Sequence, residues 1–156
     1  MKVGKPVRVE RAYTQRLNAP PHEVFPLLCP VREAEWVTGW DPAVVFTRSG
    51  YVEQDCVFIT EGGEAEADSV WVVSEWDPDA FRLVLVKVTP DKTVGRITIA
   101  LTANAGNGTD ARVTYMYTAI AENGVHFVQG YTEDFFVDFM RHWEAALNSY
   151  LAQRKP

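Results

Sequence analysis

The sequence predicts an α+β fold in which a curved antiparallel sheet of seven strands wraps around a long C-terminal helix, with two short helices between strands one and two. Three observations lead there. Only the run from Tyr131 to Arg154 keeps apolar residues at the helical period over a long distance. From Ala43 to Ala119 the chain is a succession of short β-branched and aromatic runs separated by turn residues. The connections between those runs are shorter than the dozen or so residues that a parallel crossover requires, so neighbouring strands must run antiparallel.

Pro6 to Leu17 is the first strand, with Val7, Val9, Tyr13 and Leu17 alternating against Arg8, Glu10, Thr14 and Arg16. At Asn18 the pattern changes. Pro20 and Pro21 stand where a helix can start, Glu23 falls in its first turn, Val24, Phe25 and Leu28 form its apolar stripe, and Pro30 ends it. A second helical turn spans Val31 to Trp36 and runs into the loop Thr38-Gly39-Trp40-Asp41-Pro42, so two tryptophans flank one loop. Six further strands are expected at Val44–Thr47, Cys56–Thr60, Asp68–Glu75, Phe81–Val88, Thr93–Ala103 and Asp110–Ala119. Ser49-Gly50, Gly62-Gly63, Asp77-Pro78-Asp79, Pro90-Asp91 and Asn107-Gly108 supply the turns between them. Inward and outward faces are not legible from Asp68 to Val88, because Val70 to Val73 is continuously apolar. Asn123-Gly124 closes the last strand, and Val125 to Tyr131 leads, through Gly130, into the long helix.

In the terminal helix, Phe135, Phe136, Phe139, Met140, Trp143, Ala146, Leu147, Tyr150 and Leu151 form one wide apolar face. Thr132 suits the N-cap, Glu133 and Asp134 the positive end of the dipole, and Arg154 and Lys155 the negative end before Pro156. At about 1.5 Å per residue such a helix crosses a whole small domain, so a broad apolar surface must lie beneath it.

The 156 residues are read as one domain, 1–156, with a core large enough to tolerate a cavity. The net charge of −6, with no concentrated Lys or Arg, argues against nucleic acid as a partner. No run suits a membrane span, and MKVGKPVRVE lacks the apolar core of a signal peptide, so a cytoplasmic location is expected. Cys29 and Cys56 have no metal-motif spacing and read as small buried hydrophobes. His22, His126 and His142 have no i, i+4 relation and no His-Glu-x-x-His, so neither a metal nor a cofactor is expected. Phosphate loops, nucleophile elbows and Cys-x-x-Cys are absent from the sequence.

The element order, with Asn18-Ala19-Pro20-Pro21-His22-Glu23-Val24-Phe25-Pro26-Leu27-Leu28, Glu35-Trp36-Val37-Thr38-Gly39-Trp40-Asp41, Trp71-Val72-Val73 and Trp143 to Leu151, resembles the helix-grip (SRPBCC) superfamily of START and birch-pollen-allergen proteins. The resemblance spans nearly the whole chain and is nearest to polyketide cyclase/dehydrase-like and uncharacterised bacterial single-domain members. It implies a cavity between helix and sheet that holds a small lipid-, aromatic- or polyketide-like molecule. Trp36, Trp40, Phe58, Trp71, Ile99, Tyr115, Tyr117, Phe135, Phe139 and Trp143 are the residues expected to line it, with Glu35, His126 and His142 as polar groups. Tyr115 and Tyr117 fall on the face of Val113, which points both hydroxyls inward. A binding or carrier protein is the first reading, and an enzyme of the cyclase, aromatase or dehydratase kind is the second. The third is a protein-partner domain built on an exposed patch around Trp36 and Trp40. The oligomeric state stays open, a homodimer included.

Overall fold

The computed structural model describes residues 5–154. The expected start of the N-terminal segment, Met1 to Gly4, and the helix-ending Lys155 and Pro156 lie outside them.

The elements follow in the order β1 (Arg8–Leu17), α1 (Pro21–Val24), a 3-10 turn (Phe25–Leu28), α2 (Pro30–Glu33), β2 (Ala43–Phe46), β3 (Val57–Thr60), β4 (Ser69–Asp77), β5 (Arg82–Thr89), β6 (Thr93–Ala103), β7 (Thr109–Ala119), α3 (Glu122–Gly130) and α4 (Glu133–Gln153). All seven strands form one antiparallel sheet in the order β1-β7-β6-β5-β4-β3-β2. Consecutive strands from β2 to β7 are neighbours, as short turns require, and β1 joins at the far edge beside β7. The curved sheet closes around α4.

One row of cross-strand partners crosses the middle of the sheet. Phe58 on β3 pairs with Trp71, Trp71 with Lys87, Lys87 with Gly95, and Gly95 with Tyr117. Paired residues in a sheet share a face, so this row puts a lysine and a glycine among three aromatic rings on the inner surface. Gly95 is needed there. A Cβ at this position would stand 2.8 Å from Cε1 of Tyr117, whose ring lies across the glycine.

The face ambiguity of β4 has a physical cause. Ser69, Trp71 and Val73 point inward, and the register then shifts between Val73 and Glu75. The bulge returns Trp76 to the inner side, where it stacks on Phe25 at 4.4 Å between ring centroids. Alternation is therefore broken in the structure as well as in the sequence.

Two corrections concern the C-terminal third. Residues 122–130 form a separate helix of nine residues, α3, where only a lead-in to the long helix was expected. Asn123-Gly124 sits in its first turn instead of closing β7. Gly124 is buried against the β5–β6 turn, where a Cβ would collide with the carbonyl oxygen of Lys92. Close approach of two backbones, not turn geometry, is the reason for this glycine. Further on, the wide apolar face of α4 divides. Phe136, Met140 and Leu147 are fully buried, while Phe135 and Phe139 are 57% and 43% exposed.

Thr132 caps α4, its hydroxyl accepting from the Phe135 amide at 3.2 Å. Against β1 the helix is held by polar contacts. The buried Gln15 amide donates to the Met140 carbonyl at 3.1 Å, and Asn148 both accepts from the Asn18 amide and donates to the Arg16 carbonyl. Glu144 accepts from the Arg16 amide. Glu144 and Asn148 thereby satisfy the Arg16 backbone of an edge strand that would otherwise be open to another chain.

Candidate functional site

Between α4, the segment after α2 and the inner face of the sheet lies a cavity of about 550 Å³. Eight of its lining residues are aromatic: Trp36, Trp40, Phe58, Trp71, Tyr115, Tyr117, Phe139 and Trp143. Leu85, Ile97, Ile99, Val37, Pro30 and Ala146 complete the apolar wall, and Glu33, Thr38, Lys87 and His142 are the other polar members. Phe139, Thr38 and His142 are also solvent-exposed, so the mouth of the cavity lies between α4 and the loop after α2.

The two tryptophans of that loop turn inward. Trp36 is 7% exposed and donates its indole N–H to the Leu27 carbonyl at 2.9 Å, and Trp40 donates to the Pro30 carbonyl at 2.7 Å. The rings then pack sideways. Trp36 stacks on Trp143 with centroids 6.0 Å apart, and Trp40 meets Trp71 and Phe58 edge-on at 6.0 and 6.2 Å. Satisfied N–H groups and buried rings form a wall of the cavity, and they do not make the exposed patch on which a partner-domain reading was built. The loop is held to α4 a second time on the outside, where the Tyr150 hydroxyl donates to the Glu35 carboxylate at 2.6 Å.

That hydrogen bond explains why Glu35 is not in the cavity. Its carboxyl is turned to Tyr150 and Arg32, and the Tyr150 bond holds it below the usual carboxylate range. The same bond raises the Tyr150 phenol. His126 sits on the exposed side of α3, away from the cavity. Phe135 packs on Tyr131 at the outer edge of α4 and does not reach the lining, because a helical residue one step from the buried Phe136 is rotated by about 100°. His142 reaches only the rim, with Nδ1 2.8 Å from the Asp138 carbonyl oxygen.

Sequence reasoning missed the two ionisable groups inside. Glu33 is the last residue of α2, partly buried, and it lines the cavity. Its carboxyl has no hydrogen bond or opposite charge to offset burial, which raises its pKa from the ordinary 4.5 to about 8. At neutral pH it is a neutral acid with a proton to donate. Burial raises Tyr115 well above the usual phenol value, and the nearby Tyr117, Tyr131 and Glu33 add to this. Burial alone pushes Tyr117 up to about 12. Both phenols are therefore protonated donors too.

Lys87 is the second missed group. Its ammonium lies 5.0 Å from the centre of the Trp71 ring, and burial, followed by the neighbouring Lys92, lowers its pKa. A signal for both residues did exist. Lys87 alternates with Leu83, Leu85 and Thr89, which marks it as inward once the face of β5 is fixed, and Glu33 lies three residues before Trp36 on one helical turn.

Around the cavity, Cys29 and Cys56 are buried and unpaired thiols. No cluster of His, Cys, Asp and Glu among the described residues is arranged to hold a metal ion. No helix among them is long and apolar enough to cross a membrane.

A long helix gripped by a seven-stranded antiparallel sheet, with short helices after the first strand, is a helix-grip fold. Norcoclaurine synthase from Thalictrum flavum matches with a TM-score of 0.71 at 10% identity, over 99% of this chain and 100% of that one. A structure of that enzyme with dopamine and hydroxybenzaldehyde is also similar. Mll3558 from Rhizobium loti matches with a TM-score of 0.64 at 16% identity, over 94% and 99% of the two chains. CalU16 from Micromonospora echinospora gives 0.55 at 18% identity, over 93% and 83%. At these identities the likeness is one of fold. No protein-family model matches the sequence, and no curated protein matches it.

Proposed function

We propose that this protein, as a single domain, binds one small apolar, aromatic or polyketide-like molecule in the cavity between α4 and the sheet. The observation that carries the reading is the cavity itself: about 550 Å³, eight aromatic rings in its wall and a mouth beside α4. Its volume lies within the few hundred to about 1,000 Å³ typical of small-molecule sites, and its few polar groups would orient what the apolar wall retains. Flat rings on opposite walls favour a flat ligand, since stacked and edge-on contacts reward planar partners. The same fold holds small aromatic molecules in norcoclaurine synthase.

Melting temperature and tryptophan fluorescence against a panel of flavonoids, aromatic polyketides and fatty acids test the proposal. A ligand held in the cavity raises the melting temperature and changes the emission of Trp36, Trp40, Trp71 and Trp143 together. A panel that moves neither would overturn it.

A second reading, a cyclase- or dehydratase-type enzyme, is favoured by one observation: Glu33, protonated near neutral pH, opens on the same cavity as the Tyr115 hydroxyl. A neutral carboxylic acid in an apolar site can protonate a leaving hydroxyl, and the carboxylate so formed can take the proton from the neighbouring carbon, so that water leaves, a double bond forms and the acid is restored. Mass spectrometry of a panel ligand after incubation distinguishes the readings. Loss of water that disappears in Glu33→Gln marks the enzyme, and an unchanged ligand marks the carrier.

A further inference from the structure

Among the described residues Lys87 is the one lysine or arginine in the cavity wall, and its surroundings are unusual for a lysine. On an inward row of the sheet it stands between Trp71 and Gly95, with Tyr117 beyond. Because Gly95 has no side chain, the space above it is left to the Lys87 stem and the Tyr117 ring, so the ammonium is not crowded out of the interior. No carboxylate forms an ion pair with it among the described residues. Glu66, the carboxylate whose charge bears on it, is occupied by Lys92 at 2.6 Å. What the protein supplies is the face of Trp71, which favours a cation but leaves its three N–H donors open.

Lys87 also borders a second, smaller pocket of about 160 Å³, whose wall holds the hydroxyl-bearing Thr60, Ser69, Thr89 and Thr93 together with Glu61 and the paired Glu66 and Lys92. The aromatic cavity therefore meets a polar recess at Lys87. A wholly apolar ligand would leave this partly desolvated cation without a counter-charge, whereas an anionic oxygen would pair with it where water is scarce.

We infer that Lys87 is the seat for an acidic group on the ligand, so that the bound molecule is an aromatic body carrying one anionic oxygen group, a carboxylate, sulfonate or phenolate, directed toward β5. This rests on the cavity being a ligand site, and it narrows the class of ligand. The row Phe58, Trp71, Lys87, Tyr117 then reads as one surface: rings for the body, and the ammonium for the charge.

The test uses two fluorescent probes that share one ring system. 8-Anilinonaphthalene-1-sulfonate carries an anion, and N-phenyl-1-naphthylamine does not. The wild-type protein is expected to bind the sulfonate at least about tenfold more tightly than the neutral amine, both with enhanced emission. Lys87→Met should reduce that preference to within about twofold while leaving the amine's affinity unchanged, and Lys87→Arg should keep most of it. Lys87→Gln serves if the methionine variant does not fold. Arg96→Met, which removes an exposed cation from the outer face of β6, in neither pocket, should leave the preference intact. A preference that survives Lys87→Met, or equal binding of both probes by the wild type, overturns the anion seat and leaves the cavity reading standing. Failure of both probes to bind overturns the cavity reading itself.

Discussion

Glu33→Gln should make the protein's stability nearly independent of pH where the wild type loses stability steeply. In the folded chain the Glu33 carboxyl keeps its proton up to about pH 8, and in the unfolded chain it gives the proton up near 4.5. The folded state thus binds more protons across that window, so stability falls as pH rises from 4.5 and levels off above 8. By pH 7 the interval from 4.5 amounts to about 2.5 pH units at about 1.36 kcal/mol each, or about 3 kcal/mol. Water admitted through the mouth would solvate the carboxylate, so this figure is a ceiling. A glutamine of nearly the same shape carries no charge to desolvate and escapes the loss. Urea denaturation of both proteins at half-unit steps from pH 5 to 8 is the assay. The two should differ little at pH 5 and diverge steadily, with the variant the more stable at pH 8. Parallel stability curves would refute the reasoning, as would a carbon-13 titration that puts the Glu33 carboxyl near 4.5.

Gly95→Ala places a Cβ 2.8 Å from Cε1 of Tyr117, whose ring is packed against Phe127 and Tyr131. Overpacking of this kind costs about 1–3 kcal/mol, measurable by urea denaturation, and the displaced ring should weaken probe binding in the same protein. Trp36→Ala removes a buried indole, its stack on Trp143 and its bond to the Leu27 carbonyl. A loss of about 3–5 kcal/mol is expected, with a drop of roughly 10 °C in melting temperature by calorimetry.

Much of the fold could be read from the sequence because its local signals agree with one another. The period of α4, its Thr132 cap and the turn residues between strands all specify the same arrangement, and the strand order follows from connection length. What stayed hidden was set by contacts between distant segments. Gly124 looks like a turn residue until the β5–β6 turn is seen pressing on α3. The inner face of β4 could not be read through the bulge near Ser74. In the candidate site the aromatic wall was largely legible, since bulky rings on inward positions of a gripping sheet have one place to go. The polar groups were not. Glu35 and Glu33 are two residues apart in one short segment, and the Tyr150 hydroxyl, more than a hundred residues away, together with Arg32 holds the first outside while the second lines the cavity. Lys87 looks like an ordinary surface lysine until the strand register places it beside Trp71.

The most direct test of the cavity as a binding site is to fill it. Ala146 lies on α4 in the cavity wall and is only half-buried, so Ala146→Trp can project an indole into the space without replacing a core residue. Titration of the uncharged N-phenyl-1-naphthylamine into both proteins, each checked for cooperative melting, gives the answer. Saturable one-to-one binding to the wild type that weakens at least about tenfold in a folded Ala146→Trp is the predicted result. Equal binding by the two proteins would contradict it and place the ligand elsewhere.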